Sequence, residues 1–185
     1  LLEKSGDSVL RSLARGHIRS ELVVHISLRA QKYDDYARDF LARHPDGVIV
    51  NLGCGLDSRC LRLGGVQPAH FFDLDLPEMV RVREHFFQDG GHYHQLGVSV
   101  FDHRWMDTVQ SCGPRPALFL AEGLFMYLDP KKVKDLVLTL QKRFPGAELV
   151  AEMVHKRWIG GFLGSMVRFK MQRQLSLGRS VAFTF

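Results

Sequence analysis

Short runs of apolar residues alternate with segments of helical periodicity between residues 20 and 154. This alternation is typical of a parallel sheet with helices packed on both of its faces. Five runs have the length and composition of buried strands: VIVNL at 48–52, AHFFDLD at 69–75, GVSVF at 97–101, ALFLAE at 117–122 and ELVAEMV at 148–154. We therefore expect an α/β fold built on a mostly parallel sheet.

The predicted helices lie before and between these strands. Residues 20–43 repeat apolar side chains at helical spacing with charges between them, which predicts an amphipathic helix that ends at HPDG. A short helix is expected after the first strand, through about Leu63. Two prolines are typical of first helical positions: Pro77, and Pro130 after the capping residue Asp129.

The chain has 185 residues, of which 45% are hydrophobic, and this is enough for one compact domain. We expect an N-terminal helical segment over 1–45, a cofactor-binding core over 46–154 and a basic segment over 155–185. The last segment contains basic residues and no acid: Lys156, Arg157, Arg168, Lys170, Arg173 and Arg179. Two interpretations stay open: a lid that favours an anionic ligand, or a solvated surface. Because no RNA-binding motif accompanies the charge, nucleic acid is not an expected partner.

The cysteines have no metal-type spacing and are odd in number, which argues against both a metal site and a closed disulfide framework. They are Cys54, Cys60 and Cys112. We expect them to be reduced, in a cytoplasmic protein. The longest apolar run, IGGFLGSMV at 159–167, is too short to cross a membrane.

The turn after the first strand carries the first sign of chemistry. Gly53 and Gly55 permit backbone angles and a close approach of a ligand that a side chain would prevent. Asp75 follows 20 residues after Gly55 at the end of the second strand, where a carboxylate can accept both hydroxyl groups of a ribose. Capping of the helix at Pro77 is the alternative role for Asp75.

The residue at one position of this turn distinguishes between two classes of cofactor. A dinucleotide site has a third glycine at the position of Ser58, where it allows close packing of the helix below the pyrophosphate. Its absence favours a ligand that has a ribose but no diphosphate. S-adenosylmethionine has this chemistry, and its amino acid portion can lie over a glycine turn.

Three stretches together resemble the leucine carboxyl methyltransferase family, which includes tetracenomycin-type polyketide O-methyltransferases. They are VIVNLGCGLDSRCLRL, FFDLDLPEMV and LFLAEGLFMYLDPKKVKDLV, and the resemblance extends from about Arg29 to Val150. It implies a Rossmann-like class I methyltransferase fold. It also implies transfer of a methyl group from S-adenosylmethionine to a carboxylate or hydroxyl oxygen of a small molecule.

The resemblance also implies roles for individual residues. Arg29 matches the arginine that pairs with the methionine carboxylate of the cofactor, Gly53 and Gly55 face the methionine portion, Asp75 matches the ribose ligand, and Glu122 matches the glutamate that contacts the cofactor's amino group. A solvated helix arginine and a turn-capping acid are the alternative roles for Arg29 and Glu122.

The adenine contact aligns in two registers. Alignment on Trp105 selects Ser99 and Val100, whereas alignment on the acid selects Phe101 and Asp102. Neither reproduces the Asp-Leu pair of the family. Since adenine can be bound by one backbone amide and one carboxylate, we favour Asp102, with Phe101 packed on the base.

No nucleophilic residue is required for transfer from a sulfonium, because the main task is to hold the acceptor oxygen in line with the methyl group. A carboxylate acceptor needs no base, whereas a hydroxyl group benefits from one. The candidates near the acceptor are Tyr127, which equally fits a packing role, and His155, for which an exposed loop position is the simpler explanation.

Two rival functions stay open: a binding module that holds S-adenosylmethionine without catalysis, and a nicotinamide-dependent oxidoreductase, against which Ser58 argues. The resemblance implies two further strands after the fifth, but only about 30 residues remain there, and the chain stops on the apolar run SVAFTF. We therefore expect the fold to be incomplete at its C-terminus. The sequence does not indicate an oligomeric state.

Overall fold

The computed structural model describes residues 20–153. The elements follow one another in this order: α1 (Ser20–Arg43), β1 (Val48–Leu52), α2 (Arg59–Arg62), β2 (His70–Asp75), α3 (Pro77–Arg83), β3 (Tyr93–Gly97), α4 (Arg104–Gln110), β4 (Ala117–Ala121), a short 3-10 helix (Phe125–Tyr127), α5 (Pro130–Arg143) and β5 (Glu148–Ala151). The basic segment 155–185, and with it His155, lies outside the described residues.

The five strands form one parallel sheet in the order β3-β2-β1-β4-β5. The winding reverses at β1, because β2 follows on one side of it and β4 lies on the other. In open parallel sheets, ligands bind at such a switch point, beyond the carboxyl ends of the strands. The expected α/β class, with a parallel sheet, is confirmed.

Helices cover both faces of this sheet. On one face, α4 and α5 pack Trp105 and Leu136 with Phe119 of β4 in a core of buried side chains. On the other face, α1 packs Phe40 in a second core with Ile49 of β1. Every residue of β1 and β4 is buried, as their continuous apolar sequence predicts.

The third strand was predicted at the wrong place, at 97–101 instead of Tyr93–Gly97. It lies at the edge of the sheet and is partly exposed, so it tolerates the polar residues His94 and Gln95. These residues interrupt the apolar pattern by which a strand is predicted. Val100, from the predicted run, instead packs into the core after the strand has ended. Helix α4 was not predicted at all.

The other helix boundaries agree with the sequence. Helix α1 has the predicted bounds, α3 begins at Pro77, and α5 begins at Pro130. Asp129 caps α5, since its carboxylate accepts hydrogen bonds from the amide of Lys131 at 2.8 Å and from that of Lys132 at 3.4 Å. In the part of the chain that the structure describes, no helix has both the length and the apolar composition of a membrane span.

Candidate functional site

The glycine turn after β1 is held against the end of β2. Gly53 and Gly55 have φ of +63° and +51°, which favours glycine at both positions. The amide of Gly53 donates to the carbonyl oxygen of Leu74 at 2.8 Å, and the amide of Gly55 donates to Asp75 Oδ2 at 2.7 Å. The turn and the predicted ribose ligand therefore form one unit.

Asp75 is half-buried at the carboxyl end of β2, and two backbone amides fix its carboxylate. Oδ2 accepts from Gly55, and Oδ1 accepts from the amide of Leu76 at 2.7 Å. Each carboxylate oxygen can accept more than one hydrogen bond. Asp75 therefore keeps acceptor capacity for a ligand while its orientation is determined by the turn.

A buried arginine that the sequence analysis did not identify lies below this turn. The side chain of Arg83 is fully buried, and its Nη1 donates to the carbonyl oxygens of Gly55 at 2.7 Å and Asp57 at 2.8 Å. Its Nη2 pairs with Asp73 and donates to the hydroxyl of Tyr93 at 3.0 Å. Burial raises the pKa of Asp73 to about 6, although Arg83 and Tyr93 both favour the carboxylate.

An ion pair forms the opposite wall of the site. Arg29 Nε donates to Glu122 Oε1 at 2.9 Å, and its Nη1 donates to Glu152 Oε2 at 3.3 Å. The guanidinium lies over Gly123, where an added Cβ would be 3.3 Å from Nη1. Arg29 and Glu122, which come from α1 and the end of β4, are thus brought together as a cation and an anion beside the glycine turn.

A second buried arginine joins this wall to the glycine turn. The side chain of Arg59 is fully buried. It contacts Asp34 of α1 at 2.8 Å, Asp57 at 2.8 Å and Glu122 Oε2 at 2.6 Å. Arg62 adds contacts at 2.7 Å to both Asp34 and Asp57. Glu122 is therefore held between two arginines.

These residues surround a cavity of about 410 Å³ at the carboxyl edge of the sheet. Its size is within the range of small-molecule sites. It is lined by residues of α1, the end of β1, the glycine turn, α2 and the end of β4: Ile26, Arg29, Ala30, Asn51, Gly53, Cys54, Gly55, Leu56, Asp57, Ser58, Arg62 and Glu122. The cavity thus brings together four of the predicted site residues, and Asp75 is bonded to one of them.

The predicted adenine contacts are not part of this lining. Val100 is buried, and its carbonyl oxygen accepts from Trp105 Nε1 at 3.0 Å, so the register that selects Val100 is the less accessible one. Phe101 is half-buried, with Lys132 Nζ 5.6 Å from its ring centroid. Asp102 pairs with the exposed Arg104, which lowers the pKa of Asp102 to about 2. The adenine contact stays a prediction.

Burial raises the pKa of the hydroxyl and thiol groups near the site. Burial, together with the nearby Glu152, raises the pKa of Tyr127, and Arg29 opposes this shift. Burial also raises the pKa of the Cys54 thiol and raises that of Cys60 to about 11. Within residues 20–153, no three His, Cys, Asp or Glu side chains are placed to hold a metal ion. The role predicted for His155 concerns a residue that the structure does not describe.

The functional side chains that the sequence analysis missed had a detectable signal. Asp34 lies on α1 between Tyr33 and Ala37, which are core residues, so an acid on the buried face predicts a buried cation as its partner. Arg83 likewise follows the buried Val80 on α3. The partners themselves are distant in sequence, and only the fold identifies them.

A larger cavity of about 580 Å³ lies at the opposite edge, where β1 and β4 begin at Val48 and Ala117. Of its two arginines, Arg143 is bonded to Asp107 and Gln110, and Arg115 donates to the carbonyl oxygen of Cys112. These guanidinium groups are engaged within the chain. The switch point of the sheet and the predicted residues both select the smaller cavity.

Comparisons with known proteins find a matching family model and similar sequences. A family model described as leucine carboxyl methyltransferase matches residues 5–141. The chain is 34% identical over 129 residues to the tetracenomycin polyketide synthesis O-methyltransferase TcmP of Streptomyces glaucescens, a match that covers 70% of this chain and 47% of that protein. It is 29% identical over 125 residues to the S-adenosyl-L-methionine-dependent methyltransferase dpfgK of Gibberella zeae, covering 64% and 42%.

A solved structure of a geranyl diphosphate methyltransferase in complex with SAM overlaps 95% of this chain and 70% of that chain. The overlap has a TM-score of 0.43 and 17% identity. The chain spans about half the length of the two curated relatives named above, 47% of one and 42% of the other.

Proposed function

Because the chain belongs to the leucine carboxyl methyltransferase family, as its match over residues 5–141 demonstrates, we propose that it transfers a methyl group from S-adenosylmethionine to an oxygen of a small molecule. The resemblance noted in the sequence is confirmed by this match. The acceptor oxygen belongs to a carboxylate or a hydroxyl group. One relative, TcmP, carries the name of an O-methyltransferase, which supports oxygen as the acceptor atom.

One observation carries this proposal: a cation and an anion face each other beside a glycine turn at the switch point of the sheet. Arg29 and Glu122 are 2.9 Å apart on the wall of the 410 Å³ cavity, and Gly53 and Gly55 form its floor. A free amino acid group carries one carboxylate and one ammonium. The pair is complementary to that zwitterion in both charges.

The residues present fit the cofactor. An added Cβ at Gly55 would meet nothing within 4 Å, so the glycine leaves room for a ligand close to the backbone. Arg29 would bind the methionine carboxylate, Glu122 would accept from the amino group, and Asp75 would accept the ribose hydroxyls. Phe101 and Asp102 are proposed to hold the adenine.

S-adenosylmethionine, when bound, supplies the methyl group already activated by its sulfonium. The chain's own residues then have to orient and enclose the reactants rather than attack them. Arg59 holds Glu122 from below at 2.6 Å, and Arg83 holds the carbonyl groups of the glycine turn. These contacts fix the floor and one wall of the cavity before a ligand arrives.

The acceptor contributes the nucleophilic oxygen. A carboxylate acceptor is ionised at neutral pH and reacts without a base. Tyr127 is a poor base for a hydroxyl acceptor, because its raised pKa keeps it protonated at neutral pH. We propose that Tyr127 lines the acceptor site as a hydrogen-bond donor, and that the basic segment 155–185 favours an anionic acceptor.

Calorimetric titration tests the cofactor assignment. We expect S-adenosylhomocysteine to bind the chain and NAD not to bind. Asp75→Ala should weaken binding at least tenfold, since a hydrogen bond to a charged group contributes about 1.5–3 kcal/mol. Asp135→Ala removes a carboxylate from the exposed face of α5 and is the matched control. Equal affinities of the two variants would exclude the ribose role of Asp75, and binding of NAD alone would identify a nicotinamide-dependent protein.

A labelling experiment tests the transfer itself. The chain is incubated with S-adenosylmethionine that carries a radioactive methyl group and with a mixture of small carboxylic acids and phenols. A methyl ester releases radioactive methanol in mild base, whereas a methyl ether retains the label. Binding of S-adenosylhomocysteine without any labelled product would identify a binding module that does not catalyse transfer.

A further inference from the structure

Arg83 is a buried charged residue, and burial of its guanidinium is energetically costly. Its guanidinium is fully buried, and its Nε has no hydrogen-bond partner. Removing a charge from water costs several kcal/mol, which a single ion pair often fails to recover. The pairing with Asp73 occupies only the Nη2 side of the guanidinium.

The other side of the guanidinium holds the glycine turn. Nη1 donates to the carbonyl oxygens of Gly55 and Asp57 at 2.7 and 2.8 Å. A planar guanidinium can donate hydrogen bonds to two carbonyl oxygens and a carboxylate at the same time. An ammonium group, which is a point charge, cannot reproduce this geometry. The contacts reach the turn that lines the cavity, at a distance of 28 and 26 residues in sequence.

Gly55 is thereby fixed from both sides. Its carbonyl oxygen accepts from Arg83, and its amide donates to Asp75 Oδ2 at 2.7 Å. That amide is one of two backbone donors that orient the Asp75 carboxylate. A displacement of the turn would therefore rotate or release this carboxylate.

We propose that Arg83 is a positioning residue for the ribose of the cofactor, acting through Gly55 on the carboxylate of Asp75. The inference rests on the proposed function. Because its side chain is fully buried behind the turn, Arg83 would not contact the ligand itself. Its contribution is the alignment of Asp75 with the two ribose hydroxyls, which determines how strongly the site distinguishes a ribose from a deoxyribose.

The test compares the affinities of S-adenosylhomocysteine and its 2′-deoxyribose analogue by calorimetry. The wild-type chain should prefer the ribose about tenfold, as expected for one hydrogen bond to a carboxylate. In Arg83→Lys the charge beside Asp73 is retained but the fork to the two carbonyls is lost, and we expect the preference to fall towards one. The melting temperature is recorded for each variant.

Tyr93→Phe is the matched control. The Tyr93 hydroxyl contacts Arg83 and Asp73 within the same buried network, at 3.0 and 2.9 Å. Its removal should lower the melting temperature and leave the ribose preference unchanged. The double variant Arg83→Gln/Asp73→Asn leaves no unpaired ion buried, and it should lose the preference as Arg83→Lys does.

The outcomes are distinct. A ribose preference that is unchanged in both Arg83 variants, with a lower melting temperature, would make Arg83 purely structural and overturn the inference. If the wild-type chain binds neither ligand, the proposed function is wrong and the inference fails with it. Loss of the preference in the Arg83 variants but not in Tyr93→Phe supports the positioning role.

Discussion

Three glycines with left-handed backbone angles allow steric contact at the site to be separated from backbone strain. Gly53, Gly55 and Gly64 have φ of +63°, +51° and +65°. An added Cβ at Gly53 would lie 2.6 Å from Leu124 Cδ1, whereas at Gly55 and Gly64 it would meet nothing within 4 Å. Substitution by alanine therefore imposes similar strain at all three positions and a collision at only one of them.

The magnitudes follow from these two effects. A left-handed alanine costs about 1–2 kcal/mol, and the lower entropy of the unfolded chain offsets about 0.4–1 kcal/mol of this. Gly55→Ala and Gly64→Ala should therefore lower the free energy of unfolding by about 1 kcal/mol. Overpacking against Leu124 adds about 1–3 kcal/mol, so Gly53→Ala should cost about 2–4 kcal/mol.

Urea unfolding measures the free energy, and each kcal/mol corresponds to about 2–4 °C in the melting temperature of a chain of this size. Leu124→Ala, added to Gly53→Ala, should recover part of the steric cost because it removes the methyl group that collides. Binding of S-adenosylhomocysteine gives a second measurement. Gly55→Ala should weaken it, since the new methyl group lies at the cavity, and Gly64→Ala should not.

Two results would refute this reasoning. Equal destabilisation by Gly53→Ala and Gly64→Ala would mean that Leu124 moves away at no cost and does not restrain the turn. Equal affinity of Gly55→Ala and Gly64→Ala for S-adenosylhomocysteine would mean that the cavity over the glycine turn is not where the cofactor binds.

Three further predictions concern charged groups. Asp73 should titrate near pH 6 in NMR spectra of its carboxyl carbon, because burial raises its pKa from 3.8 to about 6. Its contribution to the free energy of unfolding is then fully present below about pH 3.8 and is lost as the pH rises through about 6. A titration midpoint below 4 would contradict the effect of burial. Arg59→Met removes the buried guanidinium from Asp34, Asp57 and Glu122 and leaves them only the partly exposed Arg62 and Arg29. It should lower the free energy of urea unfolding by about 3–5 kcal/mol, whereas Arg104→Met, at the exposed pair with Asp102, should change it far less. Similar costs would rule out a structural role for the Arg59 network. Glu152→Gln removes a carboxylate that would compete with the carboxylate of the ligand for Arg29. Calorimetry should therefore find that S-adenosylhomocysteine binds severalfold more tightly, whereas the affinity for adenosine, which has no carboxylate, is unchanged. An equal increase in the affinity for adenosine would contradict this explanation.

The sequence predicted those parts of the fold that depend on local pattern. Strands β1 and β4 are buried on both faces and read as continuous apolar runs, and Pro77 and Pro130 mark helix starts by their own geometry. The edge strand β3 was misplaced because its half-exposed residues have no apolar pattern to detect. Local pattern thus located the buried strands and the apolar edge strand β5, and it failed at the edge strand β3, whose sequence contains polar residues.

The same limit applies to the site. Residues at strand ends, such as Asp75 and Glu122, follow from topology, because the carboxyl ends of parallel strands meet at one edge. The buried Arg59, which contacts Glu122, and the buried Arg83, which contacts the glycine turn, do not. Arg59 lies 25 residues from Asp34 and 63 from Glu122 in sequence, and burial of an arginine is visible only once the partners are assembled.

The ion-pair network along the cavity has an unequal composition. It joins four carboxylates and three guanidinium groups: Asp34, Asp57, Glu122 and Glu152 with Arg29, Arg59 and Arg62. In the proposed function, this surplus negative charge would attract the sulfonium of S-adenosylmethionine, and the attraction would disappear once transfer leaves a neutral thioether. The site would therefore hold its donor more tightly than its product, so that the reaction itself loosens the spent cofactor and clears the cavity for the next turnover.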